Sequence, residues 1–141
     1  VIVPDTNMLL YAYRDDVVQH DAASLWWADL MSGREHVGLP WSVIAGFVRI
    51  MTNPRSVAFP ISTTVAFDAV NEWLELDHVM TINPGSRHMG IFRRNLEAAG
   101  VGGNLVPDAH IAAIAMEYQA EVHTNDRDFA RFPGLRWRNP L

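Results

Sequence analysis

Apolar residues recur along this chain with two different periods. Short apolar runs at Val1-Ile2-Val3, Val37-Gly38-Leu39, His78 to Ile82 and Glu121 to Thr124 have the length and the flanking turn residues of buried strands. Longer segments carry their apolar residues at helical spacing. They run from Pro4-Asp5-Thr6-Asn7 to about Tyr13, from Val18 to Met31, from Ser42 to Met51, from Ser62 or Thr63 to about Leu76, from Ser86 to Ala99, and from Ala109 to Tyr118. Ser32-Gly33, Asn53-Pro54 and Gly100 supply the stops, and Asn83-Pro84-Gly85 and Gly102-Gly103-Asn104 are loops. A short helical turn from Asp126 to Ala130 follows the fourth strand, and Leu135-Arg136-Trp137 reads as an edge strand.

Strands alternating with helices predict one three-layer α/β/α domain over residues 1–141, built on a mostly parallel central sheet with right-handed crossovers. No internal repeat, low-complexity tract or linker interrupts the alternation.

Composition narrows the chemistry. A chain of 141 residues with 49% apolar content is long enough to bury a sizeable core without staples. The absence of cysteine removes disulfides, thiolate zinc sites and cysteine nucleophiles. All 11 basic residues are arginine, which excludes a lysine-dependent phosphate loop and Schiff-base chemistry. A net charge of −5 argues against a protein that coats nucleic acid by neutralising many phosphates, but not against an enzyme whose acidic site takes a cation. No apolar stretch approaches the ~20 residues of a membrane span, and the amino end lacks a basic leader, so a cytoplasmic protein is expected.

Three aspartates share one local setting. Asp5 follows the first strand, Asp108 opens an apolar helix and Asp126 follows the fourth strand. Helix capping explains any one of them. In an α/β sheet, however, the carboxyl ends of the strands meet the amino ends of the helices on one rim, so the three are expected to converge there. At a separation of about 5 Å and an effective dielectric near 20, each ionised pair repels by roughly 3 kcal/mol. A divalent cation offsets that repulsion, and hard oxygen donors favour Mg²⁺ or Mn²⁺ over zinc. Metal-assisted phosphodiester hydrolysis is the chemistry such a site suits.

Pro4-Asp5-Thr6-Asn7-Met8-Leu9-Leu10, Pro107-Asp108-Ala109-His110-Ile111-Ala112-Ala113-Ile114-Ala115 and Thr124-Asn125-Asp126-Arg127-Asp128-Phe129, in this order, resemble the motifs of PIN-domain nucleases, and more narrowly those of VapC-type toxins. The resemblance spans essentially the whole chain. It implies a PIN-like fold and a Mg²⁺- or Mn²⁺-dependent endoribonuclease, usually a homodimer, held inactive by a VapB-type antitoxin. It casts Asp5, Asp108 and Asp126 as catalytic metal ligands, with Asp128 joining the site, and it implies attack of water on phosphorus to leave a 5′-phosphate and a 3′-hydroxyl. Thr6, Asn7 and Thr124 are expected to hydrogen-bond a liganding carboxylate or the substrate.

One position departs from the family pattern. The helix after the second strand usually carries a glutamate in a motif like Ala-Glu-hydrophobic-hydrophobic-Arg, and here it reads Ala45-Gly46-Phe47-Val48-Arg49. Glycine inside a helix costs about 1 kcal/mol relative to alanine, so Gly46 implies a need for space, or a weakened metal site.

Other residues carry weaker signals. His110 is a candidate phosphate contact, whereas His20, His36, His78, His88 and His123 lack ligand spacing and read as structural. Arg55, Arg93 and Arg94 are the leading candidates for RNA contact, with Arg49 and Arg87 behind them. Adjacent Trp26 and Trp27 are not expected to face one core together, which leaves one of them as an anchor for a partner. By family analogy the antitoxin groove lies in this amino-terminal helical region. Three alternatives stand beside the ribonuclease: a non-catalytic RNA- or partner-binding module, for which Gly46 is the main support; a phosphohydrolase using Asp5 as nucleophile, disfavoured by Asn7 and the lack of lysine; and a DNA nuclease.

Overall fold

The computed structural model describes residues 1–141. Its strands are β1 (Ile2–Pro4), β2 (Val37–Pro40), β3 (Val79–Ile82), β4 (Glu121–His123) and β5 (Arg136–Arg138). Its helices are α1 (Thr6–Tyr13), α2 (His20–Ser32), α3 (Trp41–Met51), α4 (Thr63–Leu74), α5 (His88–Ala99) and α6 (Val106–Glu117), with short 3₁₀ turns at Gly103–Leu105 and Arg127–Arg131. The sheet is parallel throughout, in the order β3-β2-β1-β4-β5. β1 and β2 are buried at every position, as strands covered on both faces must be.

The strand order places a switch point between β1 and β4. From β1 the chain moves outward to β2 and β3, then returns to the other side of β1 as β4. In such sheets ligands bind where the order reverses, beyond the carboxyl ends of the strands. Pro4 pairs with His123, so the residues that leave the two strands next, Asp5 and Thr124, emerge side by side. The Asp5 amide donates to the His123 carbonyl at 2.9 Å and carries the ladder one step further.

Several boundaries differ from the sequence expectation for identifiable reasons. α6 begins at Val106 rather than Ala109, because the 3₁₀ turn before it already has helical backbone and Pro107 suits the first helical turn. Asp108 therefore lies inside the first turn and caps nothing. α5 starts at His88, not Ser86, because the Glu117 carboxylate accepts from the amides of Gly85 and Arg87 and holds that stretch as a turn. Ser62 caps α4 by accepting from the Val65 amide, and Gly100 ends α5 with φ +74°, both as expected.

Trp26 and Trp27 are both buried, which corrects the expectation that one would face a partner. Trp27 lies edge-on to Trp73 at 5.3 Å, within a cluster that includes Phe47 and Tyr13. Trp26 packs beside it and donates its indole hydrogen to His123 Nδ1 at 2.9 Å. The two neighbouring indoles, 5.5 Å apart, thus enter the same core side by side, Trp26 around a polar anchor. The His123 proton must then sit on Nε2, which donates to Glu121 at 2.9 Å, so this histidine is structural.

Candidate active site

Asp5 leaves β1 at the amino end of α1 and is only 4% exposed. Its position is that of a cap, yet it makes no side-chain capping hydrogen bond. The carboxylate instead accepts from the Thr124 hydroxyl at 2.9 Å. Thr124 is itself fully buried, and its oxygen accepts from the Asp126 amide at 3.0 Å. A chain of two hydrogen bonds thus ties the turn after β4 to the carboxylate after β1. Only Asp126 behaves as a cap, accepting from the Asp128 amide at 2.9 Å.

Asp5 opens into a cleft of about 230 Å³ shared with Thr6, Asn7, Ser42, Gly46, Arg49, Asp108 and His110. The cleft joins the starts of α1 and α6 to one face of α3, where Ser42, Gly46 and Arg49 recur at helical spacing. Burial pushes the Asp5 carboxyl up to about 6, despite the Thr124 hydrogen bond and the nearby amides of Thr6 and Asn7, which pull the other way. Burial, then the charges of Asp5, Asp126 and Asp128, pushes Asp108 up to about 7. A helix amino terminus favours a carboxylate by only about 0.3–1 kcal/mol, so the α6 dipole is outweighed at Asp108. Both shifts express one fact: negative charge is crowded in a partly dry place.

The convergence expected of the three aspartates is only partly met. Asp5 and Asp108 share the cleft, whereas Asp126 and Asp128 stand beside it on the 3₁₀ turn, felt electrostatically but outside the lining. No three acidic or histidine side chains are drawn together closely enough to hold an ion unaided. Only Asp128 has a basic partner, Arg131 at 3.9 Å, so Asp5, Asp108 and Asp126 are left to repel one another. The donor set still suits a hard cation. All the candidate donors are oxygens, Asp5 and Asp126 each spend one oxygen on an internal hydrogen bond and keep the other, and Asp108 spends neither.

Gly46 lies where the family pattern expects its glutamate. A Cβ built there would come within 3.1 Å of Thr6 Cγ2 and 3.4 Å of Thr6 Oγ1. Thr6 therefore occupies part of the volume that a larger residue at position 46 would need.

The arginines sort differently from the sequence ranking. Arg49, ranked behind the leading candidates, lines the cleft and has no carboxylate partner, leaving its guanidinium available to a phosphate. Arg93 is spent on Glu97 one turn along α5, Arg94 lines a separate depression with Ser86 and Arg87, and Arg55 lies outside the cleft. Helical spacing from Gly46 places position 49 on the same face of α3, a signal the sequence ranking did not use. His110 lines the cleft, with Nδ1 2.9 Å from His88 Nε2, and burial followed by His88 lowers its pKa. Ser42 was not anticipated.

Residues 2–135 match the PIN domain family. The chain is 40% identical over 141 residues to ribonuclease VapC33 of Mycobacterium tuberculosis, covering 100% of this chain and 99% of that protein. It is 42% identical over 137 residues to ribonuclease VapC43 of the same species, covering 97% and 93%. Among solved structures, FitAcB from Neisseria gonorrhoeae superposes with a TM-score of 0.70 at 20% identity, covering 99% of this chain and 98% of that one. VapBC2 from Rickettsia felis, bound to a promoter DNA fragment, gives 0.69 at 20% identity with 98% and 97% covered. These structural likenesses establish the fold.

Proposed function

The chain belongs to the PIN domain family, and we propose that it is a divalent-metal-dependent endoribonuclease, the toxin of a type II pair restrained by a VapB-type antitoxin. The observation that carries this reading is the cleft in which Asp5, oriented by Thr124, faces Asp108, with both carboxyls pushed up by burial and like charge. Support for the substrate class comes from full-length relatives that are named ribonucleases.

Asp5 and Asp108 would hold Mg²⁺ or Mn²⁺ from within the cleft, with Asp126 and Asp128 reaching in from the adjoining turn. Bound there, the cation neutralises charge on the phosphoryl group and makes water a competent nucleophile at neutral pH. The protein's own groups do the positioning. Thr124 fixes which Asp5 oxygen is free, Arg49 binds a phosphate oxygen, and Ser42, Thr6 and Asn7 offer hydrogen bonds along the wall. The same reading makes the protein a cytoplasmic homodimer that meets its antitoxin before its RNA.

Purified protein should cleave RNA with Mn²⁺ or Mg²⁺, and Asp5→Asn or Asp108→Asn should each remove the activity. Undiminished cleavage by both variants would sink the assignment. Gly46 favours a second reading, an RNA-binding module without catalysis, because no carboxylate stands at that point of the cleft. Absence of Mn²⁺ binding at millimolar metal would select it.

A further inference from the structure

We propose that His110, held by His88 and Glu117, accepts a hydrogen bond from a ribose 2′-hydroxyl and thereby selects RNA over DNA in the cleft. The inference rests on the ribonuclease reading above and names how that site reads the sugar.

The arrangement runs from a buried carboxylate to the cleft. Glu117 is locked by the amides of Gly85 and Arg87, at 2.8 and 3.2 Å. Its Oε1 lies 3.8 Å from Nδ1 of His88, a side chain only 7% exposed, and that nitrogen has no hydrogen-bond partner. The other nitrogen, Nε2, meets His110 Nδ1 at 2.9 Å, and the Phe92 ring flanks both imidazoles at 5.5 and 5.6 Å. One hydrogen lies between the two rings, and its owner decides what His110 shows the cleft.

Electrostatics chooses the owner. A buried imidazole beside a fixed carboxylate keeps its proton on the facing nitrogen, because an N–H there is attracted and a lone pair is repelled. His88 therefore carries its hydrogen on Nδ1, and its Nε2 is an acceptor. His110 must then donate from Nδ1, which leaves a lone pair on its Nε2. Of the other groups lining the cleft, Arg49 only donates, Ser42, Thr6 and Asn7 either donate or accept, and the Asp5 and Asp108 carboxylates are left to the cation, so His110 is the neutral group whose free nitrogen can only accept. An acceptor has no use for phosphate oxygens and needs a hydrogen-bond donor. On a nucleic-acid backbone that donor is the 2′-hydroxyl, present on every ribose and on no deoxyribose.

Binding tests the proposal apart from cleavage. Fluorescence anisotropy would compare the full chain as Asp5→Asn on a random 20-nucleotide RNA pool and on the corresponding DNA pool. RNA should bind about tenfold more tightly, the ratio set by one hydrogen bond of roughly 1.4 kcal/mol. In Asp5→Asn/His110→Ala the two pools should bind alike, with the DNA affinity little changed. Glu117→Gln keeps one oxygen for the Gly85 amide but sets an NH2 against the Arg87 amide and removes the charge, so it should melt slightly lower than the parent and lose most of the preference. Equal binding of RNA and DNA by the parent, or an unchanged preference without His110, would overturn the proposal. A preference that followed amine-bearing bases instead of the sugar would do the same. Failure of the wild type to cleave any RNA would count against the ribonuclease reading, whatever the sugar preference.

Discussion

Thr124 donates its hydroxyl hydrogen to Asp5 Oδ2 over 2.9 Å, although the two residues stand 119 positions apart. The contact follows from the pairing of Pro4 with His123, which delivers both side chains to the switch point of the sheet. Thr124→Val removes this donor and the acceptor of the Asp126 amide. The Asp5 carboxyl should rise above about 6, since the Thr124 hydrogen bond is the largest influence now lowering it. Stability at pH 7.5 should fall by about 1–2 kcal/mol, and the acid limb of the pH–rate profile should move to higher pH. Carboxyl-labelled NMR of Asp5 beside denaturant melts reads both effects.

Asp108 holds its proton more tightly in the folded chain, at about 7, than its ordinary value of 3.8. With a raised carboxyl pKa, the folded state binds the extra proton, so the stability this group contributes is present below about 4 and lost as pH climbs through 7. His110 and His123 act in the opposite sense, because their lowered values favour the neutral ring and cost stability on acidification. Comparing Asp108→Asn with wild type in EDTA isolates the carboxyl. The variant should be more stable by about 1–2 kcal/mol at pH 7.5, a figure discounted for partial exposure, and should lose that advantage near pH 4. Saturating Mn²⁺ should reverse the order at pH 7.5. Thermal melts with and without metal provide the check.

Gly46 and Thr6 should behave as a coupled pair. Gly46→Ala adds about 1 kcal/mol of helix propensity but brings Cβ to 3.1 Å from Thr6 Cγ2, so alone it should change stability little. Combined with Thr6→Ser, which deletes that methyl, the alanine should show its full gain. Gly46→Glu/Thr6→Ser should bind Mn²⁺ more tightly than wild type. A double-mutant cycle with metal titration measures both couplings.

Arg49→Ala should lower kcat/KM for RNA by about 10- to 100-fold through lost phosphate contact, with a shallower salt dependence. Arg93→Ala, which only breaks the surface pair with Glu97, should leave activity within about twofold and stability within about 0.5 kcal/mol. Equal losses in the two variants would contradict the placement of substrate in the cleft.

How legible this site was depends on what kind of contact makes it. The strands, the parallel layering and the rim position of Asp5 and Asp108 follow from local periodicity, because buried strands and amphipathic helices announce themselves within ten residues. The Glu117 carboxylate on the Gly85–Arg87 turn did not, since that contact reaches across 30 residues and more, and it moved the start of α5. The burial of both Trp26 and Trp27 escaped for a similar reason. A helix drawn against one core leaves no room for a second polar anchor, and His123 was that anchor. Arg49 was under-ranked because an unpaired arginine is distinguishable from a paired one only when its neighbours in space are known.

The central claim is that Asp5 and Asp108 make this chain a nuclease acting on RNA. Expression of the wild type beside Asp5→Asn in the absence of any antitoxin, followed by mapping of 5′-phosphorylated ends in total RNA, tests it most directly. The account predicts discrete new 5′ ends in the wild-type map that are missing from the Asp5→Asn map. Identical maps from the two proteins would contradict it.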